Sequence, residues 1–522
     1  MMSATILSAL FLLPVLLFFT ASLSFNKLNN VFKITRAAVV VALLSSLVGV
    51  VWLINFSPIE STFFEYAELG LSVRLDPLSV VMYFMISIIA FVVARFSRNY
   101  LDGEPRIKQF FGRLAFTLAF VQLLVLSGNL ATLFIAWVGT SIGLRQLLLF
   151  YPDRKKAILA ARKKFVIARL GDLMLLIAFL LIYFEFKNGN LSYIFDQLQL
   201  LDARSISCRL ELAAILIVVS AALKSVQVPF HGWLLDVMEA PTPVSALLHA
   251  GLLNAGPFLI IRFAFLIDIA GNASIILITV GAISALFGAI VATTQPAIKT
   301  SLAYSSIGHM GFTLMVCGFG VYSAALLHLI AHSFYKAHAF LSSGSVIDKV
   351  QTKSVVDYAR LGNVWRMVLG LIATVVLYFS IAYLWGTNAD TAFQLLVIGS
   401  IIFIGVLSIQ INAFDSNISG RSILSLLIGS GIVINLFFIF ESIIHYGILS
   451  QIPEVREPSS GLMILSITVL VLFIITVSLQ FSTTRIKNWR VSKKIGIHVR
   501  NGLYFNLIFD KMMNSLNTKT LK

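Results

Sequence analysis

Residues Leu212–Asp236 read LAAILIVVSAALKSVQVPFHGWLLD. A nearly unbroken apolar run leads to one lysine, Lys224, which lies roughly 21 Å into a helix at about 1.5 Å per residue. Pro229 follows five residues later, and Pro241 and Pro243 open the next apolar run. An ammonium in the bilayer core costs roughly 2.5–3.5 kcal/mol on insertion scales. A proline removes a backbone donor and frees an upstream carbonyl. Irregular backbone at membrane depth is tolerated only against protein or water. The stretch therefore predicts a membrane helix broken at Pro229, Pro241 and Pro243 beside a buried lysine, the arrangement an ion path uses. The alternative is a lysine that snorkels to the cytoplasmic surface.

The rest of the chain has the composition that such a helix requires. Of 522 residues, 58% are apolar, 42 are phenylalanine and only 12% are charged, about half the share of a soluble domain. Mean hydropathy is +0.93. A soluble enzyme and a disordered chain are both excluded. The two cysteines, Cys208 and Cys317, sit in no Cys/His ligand pattern. An iron–sulfur cluster, a covalent haem and a cysteine zinc site are thus not expected. No cofactor, metal or catalytic residue is expected in this chain.

Apolar segments fall at about 4–24, 33–54, 77–95, 109–128, 129–150, 165–184, 210–228, 241–266, 273–293, 297–317, 321–345, 364–384, 392–413, 422–443 and 460–480. The expectation is an all-α polytopic protein with about 13–15 spans. The first segment lacks a basic leader and a clear small-residue cleavage site, so it is expected to stay as a helix.

The net charge of +16 reflects orientation and not nucleic-acid binding. Alternate loops hold 29 Lys and Arg on one side, including Arg162, Lys163 and Lys164, and five on the other. That bias places the N-terminus outside and the C-terminus in the cytoplasm. Four regions are expected: N-terminal helices over 1–108, an ion-conducting core over 109–413, C-terminal helices over 414–484 and a basic cytoplasmic tail over 485–522. In the tail, Leu503, Tyr504, Leu507, Ile508 and Met512 have near-helical spacing and are expected on the membrane or a partner.

Further ionisable residues lie inside apolar segments. His328, His332 and Lys336 stand at i, i+4 and i+8, one stripe about 12 Å long. Such a stripe can pass a proton through intervening water. Its histidines could hold a metal, but no carboxylate follows as in zinc-enzyme motifs. Arg169 and Asp172 can pair at i, i+3. His249, six residues past Pro243, could continue the path from Lys224. His338 falls off the stripe, and Arg145 sits where snorkelling suffices.

Several segments resemble the antiporter-like membrane subunits of respiratory complex I and the large Mrp-type antiporter subunits. They are KSVQVPFHGWLLDVMEAPTPVSALLHAG (Lys224–Gly251), IKTSLAYSSIGHMGF (Ile298–Phe312), LHLIAHSFYKAHAFLSSGSVI (Leu327–Ile347), LDPLS (Leu75–Ser79) and FVIARLGD (Phe165–Asp172). The resemblance implies inverted five-helix repeats with broken helices. By motif it makes Lys224, His249, His328, His332 and Lys336 proton-path residues.

Two departures from that pattern stand out. LFIAWVGTSIGLRQ has Val138 after Trp137, where the superfamily has a glutamate partner for the helix lysine, and Asp172 is the nearest substitute by resemblance. The segment Val364–Leu384 lacks the lysine of the superfamily's second broken helix. The chain also ends soon after the fifteenth segment, so the long lateral helix of the largest complex I subunit is not expected. These departures, the length and NGLYFN at Asn501–Asn506 resemble a divergent branch, the DabB-type membrane subunits of energy-coupled inorganic carbon transporters.

That resemblance implies a bacterial inner-membrane protein that conducts H+ or Na+. Its partner would be a zinc-bearing DabA-like subunit related to carbonic anhydrases, which traps CO2 as bicarbonate. A complex I or Mrp subunit is the alternative, and a non-conducting scaffold is the second.

Overall fold

In the computed structural model, residues 2–23, 28–201, 206–237, 240–345, 364–385, 419–454, 460–483 and 490–518 are described, with Gly399, Val406, Gln410 and Phe414. Helices occupy fourteen of the fifteen expected segments among these residues. The remaining one, 392–413, lies almost wholly outside them. Nine helices among the described residues are long and apolar enough to span a membrane. The chain is a multi-pass helical membrane protein.

The chain opens with α1 (Met2–Leu23) and α2 (Leu28–Asn55). The expected outer loop at 55–76 is instead an antiparallel hairpin, β1 (Ile59–Tyr66) and β2 (Leu69–Leu75). Its turn residues Ala67 and Glu68 both have positive φ, as tight hairpins need. The Glu68 carbonyl accepts from Gly189 N at 3.1 Å and Asn129 Nδ2 at 3.0 Å, which ties the hairpin to two helix starts.

Next come α3 (Pro77–Tyr100), α4 (Ile107–Leu126), α5 (Leu130–Leu148) and α6 (Lys155–Phe186). Asp76 caps α3 by accepting from Ser79 N, and Pro77 fills the first turn, where no donor is needed. The α6 helix starts ten residues before the apolar segment predicted at 165–184. Lys163 and Lys164, expected in a cytoplasmic loop, are therefore buried helical residues. Flanking alanines let the helix continue inward, and each lysine finds a partner there. Without these two residues the loop bias remains one-sided.

The short α7 (Leu191–Gln199) lies in the expected outer loop at 185–209 and buries Leu191, Ile194, Phe195 and Leu198. The α8 helix (Cys208–Lys224) ends on its lysine. The chain turns through Val226, which has φ +61, into the short α9 (Gly232–Asp236). A second interruption divides the segment expected as one helix at 241–266. It separates α10 (Thr242–Ala250) from α11 (Ala255–Arg262), which leads into α12 (Ala264–Ile269).

Groups at the two interruptions are paired between the breaks, within the second, and to Ser284 on a neighbouring helix. Ser225 Oγ donates to Leu253 O at 2.8 Å, Asn254 Nδ2 donates to Ala250 O at 2.8 Å, and Val228 N donates to Ser284 Oγ at 3.1 Å. Freed backbone groups are thus paired inside the protein, as the bilayer demands.

Close packing completes the core. In α13 (Gly271–Ala292) and α14 (Ile298–Gly318) a Cβ on Gly288 would stand 2.4 Å from Gly308 N. Glycine there lets the backbones touch, the usual device between membrane helices. The α15 helix (Tyr322–Leu341) packs on α10 and α14. After it come α16 (Val364–Leu384), α17 (Gly420–Ile448), α18 (Ser460–Thr483), α19 (Arg490–Arg500) and α20 (Phe505–Thr518).

Leu503 and Tyr504 form a turn with positive φ and do not join the tail helix. Leu507 and Ile508 face outward, whereas Phe509 is buried.

Candidate functional site

Lys224 lies at the C-terminal end of α8, inside the bundle and not at a surface. Its Nζ donates to three oxygens of α5: Trp137 O at 2.9 Å, Thr140 Oγ1 at 2.8 Å and Ser141 Oγ at 2.7 Å. The Trp137 ring lies below it, 4.3 Å from Nζ to the centroid. An ammonium has three donors and all are used. The helix that lacks the glutamate therefore still cradles the lysine, by two hydroxyls and a carbonyl. Hydroxyls both donate and accept, so this cradle can serve the ammonium and the neutral amine.

Asp172 pairs with Arg169, Nη2 to Oδ2 2.5 Å, in the i, i+3 geometry the spacing predicts. Its carboxylate also lies in the fields of Lys224 and Lys164. Lys164 was not singled out by the sequence analysis. It is buried over the Trp233 ring at 4.6 Å. A small cavity joins Lys164, Lys224, Thr140 and Ser141. Its volume of about 10 Å³ matches roughly one water. The signal for Lys164 was present: it lies eight residues before Asp172, on one helical stripe.

Thr140 also lines a second cavity, which reaches Asn254 at the interruption after α10. Asn254 Nδ2 donates to Ser333 Oγ on α15 at 2.7 Å. Ser333 stands between His332 and Lys336. Asn254 is not visible in the sequence, because it lies inside the apolar run 241–266 that reads as one helix.

Lys336 is buried, and its Nζ donates to Leu302 O at 2.9 Å. His249 is buried, stacks on Phe340 at 4.3 Å and shares a 2.8 Å hydrogen bond with Ser306 Oγ. His328 and His332 lie on one face with ring centroids 6.1 Å apart. A third histidine joins them from α14: His309 Nδ1 is 3.2 Å from His328 Nε2. Ring nitrogens of the three lie within 4.8 Å of one another, close enough to hold a metal ion in principle. In the sequence His309 is marked by polar residues recurring every four positions, at 301, 305, 309 and 313. His338 is exposed and Arg145 rests over the Phe165 ring. Cys317 and Cys208 are free thiols.

A second buried charge cluster marks the start of α3. Arg262 pairs with Asp76 and donates to Ser79 Oγ at 2.7 Å, and Arg74 Nε donates to Asp76 Oδ2 at 2.6 Å. Arg74 also donates to Ser192 Oγ at 2.6 Å, and Ser192 donates to Glu60. At the other end, Lys163 bridges Asp236 (2.5 Å) and Asp510, so α20 docks under the first interruption.

Comparisons with known proteins agree with this architecture. A family profile described as NADH:quinone oxidoreductase/Mrp antiporter matches residues 127–374. One described as the N-terminus of complex I chain 5 matches residues 64–111. "Probable inorganic carbon transporter subunit DabB2" of Halothiobacillus neapolitanus is 36% identical over 442 residues, covering 84% of this chain and 79% of that protein. NADH-quinone oxidoreductase subunit L of Mycobacterium tuberculosis is 35% identical, over 61% of this chain and 49% of the relative. The Mrp complex of Dietzia sp. superposes with a TM-score of 0.62 at 21% identity, covering 93% of this chain and 57% of that one. The archaeal membrane-bound sulfane sulfur reductase gives 0.60 at 18%, over 97% and 99%. Both structures share the fold.

Proposed function

Because the chain belongs to the DabB-type subunits of inorganic carbon transporters, we propose that it conducts cations through its Lys224–Lys336 core to drive carbon uptake by a partner subunit. The observation that carries this reading is the environment of Lys224. A buried ammonium on three neutral oxygens, next to a cavity of one water's size and a helix break, has the makings of a proton relay.

The cation is a proton. The chain's own residues move it in short steps. Lys224 holds it against Trp137 O, Thr140 and Ser141. Asp172 and Arg169 set the charge that Lys224 feels. Asn254 and Ser333 lead toward Lys336, and His249, His309, His328 and His332 carry it onward. The partner is a zinc-bearing DabA-like protein, which supplies CO2 hydration at its own metal. The chain sits in the bacterial inner membrane with its N-terminus periplasmic and its C-terminus cytoplasmic.

The energetics require coupling. A hydration catalyst alone only equilibrates CO2 with bicarbonate, whereas one charge crossing 100 mV supplies about 2.3 kcal/mol. That supports roughly a 50-fold concentration bias per charge.

The test is co-expression with the partner in a host lacking carbonic anhydrase. The pair is expected to restore growth in air and neither chain alone to do so. Radiolabelled inorganic carbon accumulates, and a protonophore collapses the pool. Accumulation that survives loss of the proton gradient but not the sodium gradient makes Na+ the ion. Accumulation that survives loss of both makes the chain a scaffold.

A further inference from the structure

The basic ends of α2 and α3, with Phe111 of α4, enclose a cavity lined by none of the residues proposed for the ion path. Its volume is about 940 Å³. Lys33 and Arg36 reach it from α2, Arg95 and Arg98 from α3, against a single acid, Asp102. Four cations facing one space make it attractive to an anion. The walls are apolar: Phe32, Val39, Phe91 and Phe111 line the same space. Arg98 lies over the Phe32 ring at 5.7 Å, and Phe32 meets Phe111 edge-on at 4.3 Å. One guanidinium is thus held in place by stacking before any ligand arrives.

A second observation points into the same space. Thr35 lines the cavity, is almost wholly buried, and its Oγ1 has no hydrogen-bond partner. A buried hydroxyl left unpaired is costly unless a ligand or water answers it.

The combination selects one occupant. A free inorganic anion has no use for four apolar walls or for this volume. Val40 on α2 and Val92 on α3, each next in sequence to a lining residue, are exposed apolar residues of the spans, a surface that acyl chains can cover. We propose that this cavity holds the phosphate headgroup of an anionic phospholipid. Arg36, Arg95, Arg98 and Lys33 take the phosphate, Thr35 donates to one of its oxygens, and the acyl chains run out along α2 and α3. The assignment is independent of the proton-relay reading, since none of these residues belongs to it.

The test uses the full chain, purified from membranes containing phosphatidylglycerol and phosphatidylethanolamine, and read by native mass spectrometry. One phosphatidylglycerol is expected to be retained by the wild type. Arg36→Gln with Arg98→Gln should lower that occupancy at least ten-fold, and Thr35→Val should lower it several-fold. Arg209→Gln, at the opposite membrane face, should leave it unchanged and serves as the folding control. Excess inorganic phosphate should not displace the lipid. Equal retention in wild type and double variant overturns the proposal. So does retention of phosphatidylethanolamine in preference, or displacement by inorganic phosphate, which would make it a free-anion site. If the double variant fails to insert, Thr35→Val alone decides: unchanged phosphatidylglycerol occupancy overturns the assignment.

Discussion

The Lys224 ammonium donates to the Thr140 hydroxyl at 2.8 Å, two residues on from Val138, which stands where the resemblance to the antiporter superfamily implies a glutamate. A hydroxyl cannot supply negative charge, but it can hold and release a proton donor without a large change in solvation. The carboxylate proposed to supply that charge, Asp172, is itself paired with Arg169.

This arrangement makes the cradle testable. A hydrogen bond to a charged group contributes about 1.5–3 kcal/mol. Thr140→Val with Ser141→Ala removes two, about 3 kcal/mol or more, so ion-coupled uptake should fall by roughly 100-fold or more, at about 1.4 kcal/mol per tenfold. Membrane insertion should stay normal. Lys224→Ala and Lys336→Ala should each abolish uptake. Full uptake in both lysine variants, at normal expression, removes the relay.

Asp172 can be separated from its ion-pair partner. If the carboxylate supplies the charge for Lys224, Asp172→Asn should impair uptake nearly as much as Lys224→Ala. Arg169→Gln should be milder, because Arg169 is partly exposed and water can replace it. Equal, small effects for both would mark a structural pair. Uptake of labelled carbon in the two strains decides between these outcomes.

The acids outside the spans should respond to pH with opposite signs. Burial raises the Glu60 carboxyl above its usual range, against hydrogen bonds from Ser192 and Asn190 and the charge of Arg74. Burial would also raise Asp76, but Arg262 and Arg74 outweigh it and hold the carboxyl well below the usual range. The Asp76 contribution is therefore full above the ordinary carboxylate range and is lost only in strong acid. The Glu60 contribution is full below that range and fades as pH rises through its elevated pKa. Near pH 7, Asp76→Asn should lower thermal stability clearly, and Glu60→Gln should lower it little or raise it. Thermal unfolding of the purified variants from pH 2 to pH 8 checks both, the acid half reading Asp76 and the neutral half Glu60.

The tail should detach when Lys163 is neutralised. Lys163 is fully buried between Asp236 and Asp510, while their side chains are 18% and 27% exposed. Lys163→Met leaves two facing carboxylates without a counter-charge, so α20 should become sensitive to protease. Asp510→Asn should be milder, since Lys163 keeps Asp236. Limited proteolysis followed by mass mapping of residues 490–518 reads the difference.

The sequence alone determined the class, the spans and the principal buried cations. Hydropathy places the apolar segments, because each span must bury about 20 apolar residues. A charge inside such a run is costly enough to be visible, so Lys224, His332 and Lys336 stood out. The break after Lys224 followed from Pro229 and the polar stretch around it. Tertiary structure alone decided which side chains meet. Asp76 and Arg262 are 186 positions apart, and Lys224 and Thr140 are 84 apart. Nothing local to either partner encodes such a contact. The second interruption, at Gly251–Asn254, reads as continuous apolar sequence. It is visible only because Ser225 and Asn254 answer the carbonyls it frees. Lys163 and Lys164 show the same limit from the other side. Their basic run reads as a loop, and only the acids and the ring that surround them in the folded chain draw them inside.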